Sequence, residues 1–186
     1  ADPKPDEKMD NILETAILKM QDEDYEGAIP LLETALEDMP TTEAIWEALG
    51  WSYYRVGREA DAEKLWKQYE VLRPESPKIH SLLAQLALLR NDWREADNQL
   101  RASLDLDPES YDLRYWYAQN MIRLGRLQAS VDILEVLTAE DPMRYDVKTD
   151  LARMYTLVQR YEDALDLWTD IVDVLPDNLD FRTEFA

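Results

Sequence analysis

Apolar residues recur at helical spacing through most of the chain. Between Glu43 and Pro74, Trp46, Leu49, Gly50 and Tyr53 share one helical face, and Ala62, Trp66 and Tyr69 share another after an interruption at Gly57. Two antiparallel helices patterned this way form a hairpin. The small Gly50 and Ala62 would let the helices approach, with the aromatics filling the space beside them. The pattern is periodic: prolines stand at Pro40, Pro74, Pro108, Pro142 and Pro176, each 34 residues after the last and each following an amphipathic stretch. Repeats at 9–42, 43–76, 77–110, 111–144 and 145–178 follow from that phase.

Three columns inside these repeats test the alignment. The eighth position holds Ala16, Gly50, Ala84, Ala118 and Ala152, and the twentieth holds Ala28, Ala62, Ala96, Ser130 and Ala164, all small. The twenty-fourth holds Leu32, Trp66, Leu100, Leu134 and Trp168, all large and apolar, as a knob between neighbouring hairpins must be. With its early Trp, Leu-Gly pair, Tyr, Ala, aromatic, Ala and Pro in a period of 34, the chain resembles the tetratricopeptide repeat family over residues 9–178. The second repeat fits best. Tyr69 stands in the second repeat where the family has a small residue, and Thr15 in the first repeat, and Arg114 and Ser130 in the fourth, depart from the pattern in packing detail. The resemblance implies an all-α, right-handed α-solenoid of stacked antiparallel helix hairpins.

Domain organisation follows from the same phase. Residues 1–8, with Pro3 and Pro5, read as a disordered leader or linker segment, and 9–186 as one solenoid. Residues 179–186 start a sixth first-helix, with Phe185 and Ala186 in its seventh and eighth positions, or act as a partial cap. The expectation is a fragment of a longer repeat protein, or a chain that associates with another copy by burying Phe181 and Phe185.

Composition narrows the function. Twenty Lys plus Arg against 40 Asp plus Glu give a net charge of −20, which repels nucleic acid and anionic bilayers as general partners. Cysteine is absent, which excludes disulfides and thiolate chemistry and suits cytoplasmic and exported settings alike. No run of about 18 apolar residues predicts membrane insertion. Catalytic, cofactor and metal sites are all read as none. His80, the only histidine, occupies the packing position that Trp46 takes one repeat earlier, and no phosphate-cradling glycine loop occurs. The acids Asp22, Glu23, Asp24 and Glu26, and the run Asp163, Asp166, Asp170, Asp173 and Asp177, lack the calcium-loop spacing and read as solvated faces.

The resemblance also places certain positions of each first helix on a concave groove: Trp51, Tyr54, Arg55, Gln85, Leu88, Tyr115, Gln119, Arg123 and Arg153, with Trp116 beside them. Aromatics, amides and arginines together are the composition of protein-binding hot spots. The family's two-carboxylate clamp for chaperone tails is not expected, because Leu13 and Ile17 replace its Lys and Asn. Net charge by repeat, counting Lys and Arg against Asp and Glu, runs −8, −2, −2, −1 and −5. Acidic ends around a nearly neutral aromatic centre predict a protein or peptide partner with an apolar core and some basic residues. The resulting expectation is a non-catalytic interaction scaffold. The alternatives are a module that self-assembles through its ends, and a regulatory or targeting arm of a larger enzyme or secretion-type assembly.

Overall fold

A computed structural model of the chain describes the backbone of residues 5–174 and the side chains of residues 11–174. Phe181 and Phe185, and with them the expected end-to-end association, lie outside the described residues. The described residues form ten α-helices and no strand. They are α1 (Pro5–Gln21), α2 (Tyr25–Asp38), α3 (Glu43–Arg55), α4 (Glu59–Leu72), α5 (Pro77–Leu89), α6 (Trp93–Leu106), α7 (Tyr111–Arg123), α8 (Leu127–Glu140), α9 (Tyr145–Leu157) and α10 (Tyr161–Val174). From α3 onward, every odd-numbered helix starts 34 residues after the previous one, and the even-numbered helices keep the same step from α2. None of the described helices is long and apolar enough to cross a membrane.

The turn inside each hairpin explains this regularity. Glu23, Gly57, Asn91, Gly125 and Gln159, one per repeat at the same position, all adopt positive φ between 60° and 81°. One left-handed residue ends the first helix and redirects the chain into the second. Glycine takes that conformation without steric cost, whereas Glu23 and Gln159 accept a penalty of about 1 kcal/mol each. Asp24 and Asp92 then cap α2 and α6 by accepting hydrogen bonds from the backbone N–H of Gly27 and Glu95.

The chain divides into two compact units, residues 1–86 and 87–186. In the first, α1 to α4 each pack on the next helix along the chain, around Ala16, Ala28, Leu32, Leu49, Ala62 and Trp66. In the second, α6 to α10 do the same around Ala118, Leu134, Leu151, Ala152, Ala164 and Trp168. The small and large columns of the sequence therefore meet in the cores. His80 is buried, with Nε2–H donating to the Pro74 carbonyl at 3.0 Å and Nδ1 3.3 Å from Glu70, which places it in a packing role.

Both units use the same polar staple between consecutive hairpins. Tyr53 Oη donates to Glu33 at 2.6 Å, and the Arg58 guanidinium lies 4.3 Å over the Tyr53 ring while pairing with Asp61 at 2.6 Å. One hundred and two residues on, Tyr155 donates to Glu135 at 2.8 Å, with Arg160 4.2 Å over the ring and paired to both Glu135 and Asp163. Burial first, then the hydrogen bond to the glutamate, pushes each phenol up to about 12. The folded chain holds these two protons where an unfolded tyrosine, with a pKa near 10, has lost them. Their contribution is complete below pH 10 and is lost as the pH rises toward 12. Urea midpoints are expected to fall across this range, and Tyr53→Phe with Tyr155→Phe should flatten the fall. An unchanged slope in the double variant would show that the staples do not hold these protons.

Candidate protein-binding groove

In the second unit the first helices α7 and α9 stand next to the turn between α5 and α6, and an open cleft of about 520 Å³ lies among them. Leu88, Trp93, Ile122 and Met154 form its apolar wall, while Asn91, Gln119, Asn120, Arg123, Asp150 and Arg153 supply polar groups. Helical spacing accounts for the arrangement: Gln119, Ile122 and Arg123 recur at i, i+3 and i+4 on α7, and Asp150, Arg153 and Met154 do so on α9.

Asp150 organises the polar side. It accepts from Tyr115 Oη at 2.8 Å and from Gln119 Nε2 at 3.2 Å, and lies 3.6 Å from the Arg153 guanidinium. Burial, followed by the neighbouring Asp150 charge, raises the Tyr115 pKa far above its ordinary value, so this phenol is a permanent donor at neutral pH. Arg123 is exposed and lies over the Trp93 ring at 5.5 Å. Asn120 is fully buried: its Nδ2 donates to the Trp93 carbonyl at 3.0 Å, and its Oδ1 has no hydrogen-bond partner. The cleft thus sets guanidinium and amide groups and the Asp150 carboxylate beside an apolar wall.

The structure gathers Leu88, Gln119, Arg123 and Arg153 from the expected set into this cleft and ties Tyr115 to it through Asp150. Trp116, half-buried on α7, is not among the residues lining it. In the first unit Trp51 and Tyr54 lie edge to face at 5.7 Å, and Arg55 covers the Tyr25 ring at 4.8 Å with Glu23 3.8 Å away. Trp51 also meets the core residue Trp66 edge to face at 5.1 Å, so it carries packing as well as surface. Gln85 is half-buried on α5.

Sequence reasoning missed Trp93, Asn120 and Asp150. Trp93 belongs to a second helix, outside the columns that the resemblance highlights. Asn120 had a signal, being an amide in a column that holds Leu18, Ser52, Leu86 and Met154 in the other repeats.

Paired helices repeating every 34 residues, closed by small-on-large contacts, define an α-solenoid repeat protein. A family model described as Tetratricopeptide repeat matches residues 19–86 and 87–153, and the chain belongs to that family. Its fold is similar to the crystal structure of MamA, with 17% identity over 90% of this chain and 91% of that one and a TM-score of 0.75. It is similar to YrrB, described as a TPR protein with an unusual peptide-binding site, with 17% identity, coverage of 93% and 89%, and a TM-score of 0.75. TTC0263, a thermophilic TPR protein of Thermus thermophilus, shares 18% identity over 95% of this chain and 96% of its own, with a TM-score of 0.64. At such identities the likeness is one of fold. A sequence comparison with curated proteins finds no match.

Proposed function

We propose that the chain is a non-catalytic scaffold that holds a peptide or helical segment of another protein against its first helices. The observation that carries this reading is the second-unit cleft, where Arg123, Arg153 and Gln119 face an apolar wall of Leu88, Trp93, Ile122 and Met154. The guanidinium and amide N–H groups suit the carbonyls of a bound backbone, and the wall suits its apolar side chains. The α3 surface of Trp51, Tyr54 and Arg55 is the corresponding contact surface in the first unit. Acidic first and fifth repeats favour a partner whose apolar core is flanked by Lys or Arg. YrrB, similar in fold, is itself described as peptide-binding.

Arg123 and Arg153 are exposed, so truncating them tests the cleft without opening the core. Peptides selected from a random library on the wild-type chain are expected to bind Arg123→Ala with Arg153→Ala about tenfold or more weakly, a loss of about 1.4 kcal/mol. The thermal midpoint should be nearly unchanged. Full affinity in the double variant would defeat the assignment of the cleft.

A further inference from the structure

The solvent face of α4, in the first unit, carries more base than acid, unlike the same face of the other described second helices. At the equivalent positions α2 places Glu26, Glu33, Glu37 and Asp38 and no base; α8 places Asp132, Glu135 and Glu140 and no base; α10 places Glu162, Asp166, Asp170 and Asp173 and no base; α6 balances Arg94 and Arg101 against Asp97 and Asp105. In α4 the same face holds Lys64 and Lys67 against the single acid Glu63, which Lys67 meets at 2.6 Å. Val71 and Leu72 replace the acids that close α2, and they are 81% and 59% exposed. With Ala60, Gln68 and the edge of Trp46 these residues line an open groove of about 780 Å³. Exposed aliphatics stand at equivalent positions in α6, α8 and α10 as well, as Leu106, Val136, Leu165 and Val174, but on α4 they are bordered by lysines and line a groove that reaches Trp46.

We infer that this α4 face is a second docking surface, and that its occupant is an acidic amphipathic helix of a partner protein. Charge complementarity selects the occupant: in a chain of net charge −20, this face pairs cations with apolar side chains, and an opposed helix satisfies it by laying an apolar stripe on Trp46, Val71 and Leu72 with Asp or Glu beside Lys64 and Lys67. Length agrees. From Ala60 to Leu72 the groove follows α4 for about 18 Å, room for a helix of about three turns. The surface is built from residues separate from the second-unit cleft, so it stands or falls independently of that site.

The test uses the full chain and two 14-residue stapled helical peptides, one with Leu on one face and Glu on the other, the second with Lys replacing every Glu. Methyl resonances of Val71 and Leu72 are expected to shift saturably with the Glu peptide and at least tenfold more weakly with the Lys peptide. Lys64→Glu with Lys67→Glu should reverse that preference, and Val71→Asp should abolish binding of the Glu peptide. All three side chains are exposed, and circular dichroism would verify that the variants stay folded. Absence of methyl shifts, equal binding of both peptides, or an unchanged preference in the lysine variant would each overturn the proposal. So would self-association of the chain that Val71→Asp abolishes, because a second copy would then be the occupant.

Discussion

Gly50→Ala is expected to destabilise the chain by about 1–3 kcal/mol, although the same exchange inside an unconstrained helix stabilises it by about 1 kcal/mol. A Cβ at this position would stand 2.2 Å from both Cε2 and Nε1 of Trp66. The indole has little room to retreat. Its Nε1–H donates to the Trp46 carbonyl at 2.9 Å, Trp51 presses on it edge to face at 5.1 Å, and the side chain is fully buried. The repeats themselves supply the compensating change: the first, third and fourth pair an alanine with a leucine, as Ala16 with Leu32, Ala84 with Leu100 and Ala118 with Leu134. Gly50→Ala combined with Trp66→Leu should therefore cost less than the two single changes added together, with a coupling of about 1–3 kcal/mol. The fifth repeat combines Trp168 in this column with Ala152 in the eighth, so an alanine is not incompatible with tryptophan as such. What matters in the second repeat is that Trp66 is held in place. Urea unfolding of the four proteins measures the cycle, and strict additivity would show that Trp66 simply moves aside.

That pair also shows why the fold was legible. Small residues at two positions and a large one at a third are demanded by helix contact in every copy, so one period exposes them all. The early column was legible only in part, since Arg114 reads as a departure from the pattern. Trp46, His80 and Arg114 look chemically unrelated, yet each points a side-chain N–H at a backbone carbonyl of the preceding turn, those of Pro40, Pro74 and Glu109. The shared property, a long side chain with a donor at its tip, appears only in the structure; the packing reading of His80 rested on its alignment with Trp46. The left-handed turn was legible at Gly57 but not at Glu23 or Gln159, where the hairpin enforces a conformation that the residue itself disfavours.

The candidate site was legible in part. The family resemblance projects certain positions of the first helices onto one face, and of these Leu88, Gln119, Arg123 and Arg153 line the cleft. Trp93 enters from the start of a second helix, outside the first-helix positions that the resemblance highlights, and Asp150 through a hydrogen-bond network spanning two repeats, which has no sequence period. Trp51 illustrates the opposite case: the resemblance put it on the groove face, and its ring also meets Trp66 edge to face. A residue can satisfy the surface pattern and still be partly core, because a tryptophan is wide enough to do both.

The second large effect is expected at Lys148, which takes the same early column in the fifth repeat. Its side chain is 9% exposed, lies 5.0 Å over the Tyr145 ring, and bonds the carboxylate of Asp170 on α10. Asp170 itself is half exposed, at 51%. The two ends of this pair should respond differently to removal. Asp170→Ala leaves an ammonium group largely shielded from water with only a ring face for company. A fully buried pair broken this way costs about 3–5 kcal/mol, and solvent access on the aspartate side reduces that to about 1–3 kcal/mol. Lys148→Met keeps the volume and the contact with Tyr145, leaves Asp170 free to turn to water, and is expected to change stability by less than about 1 kcal/mol in either direction. Lys148→Met combined with Asp170→Ala should then recover most of what Asp170→Ala alone loses. Chemical denaturation of the three variants decides the matter: equal losses in both single variants would mean that the ion pair is a net contributor to stability rather than a geometric tie between α9 and α10.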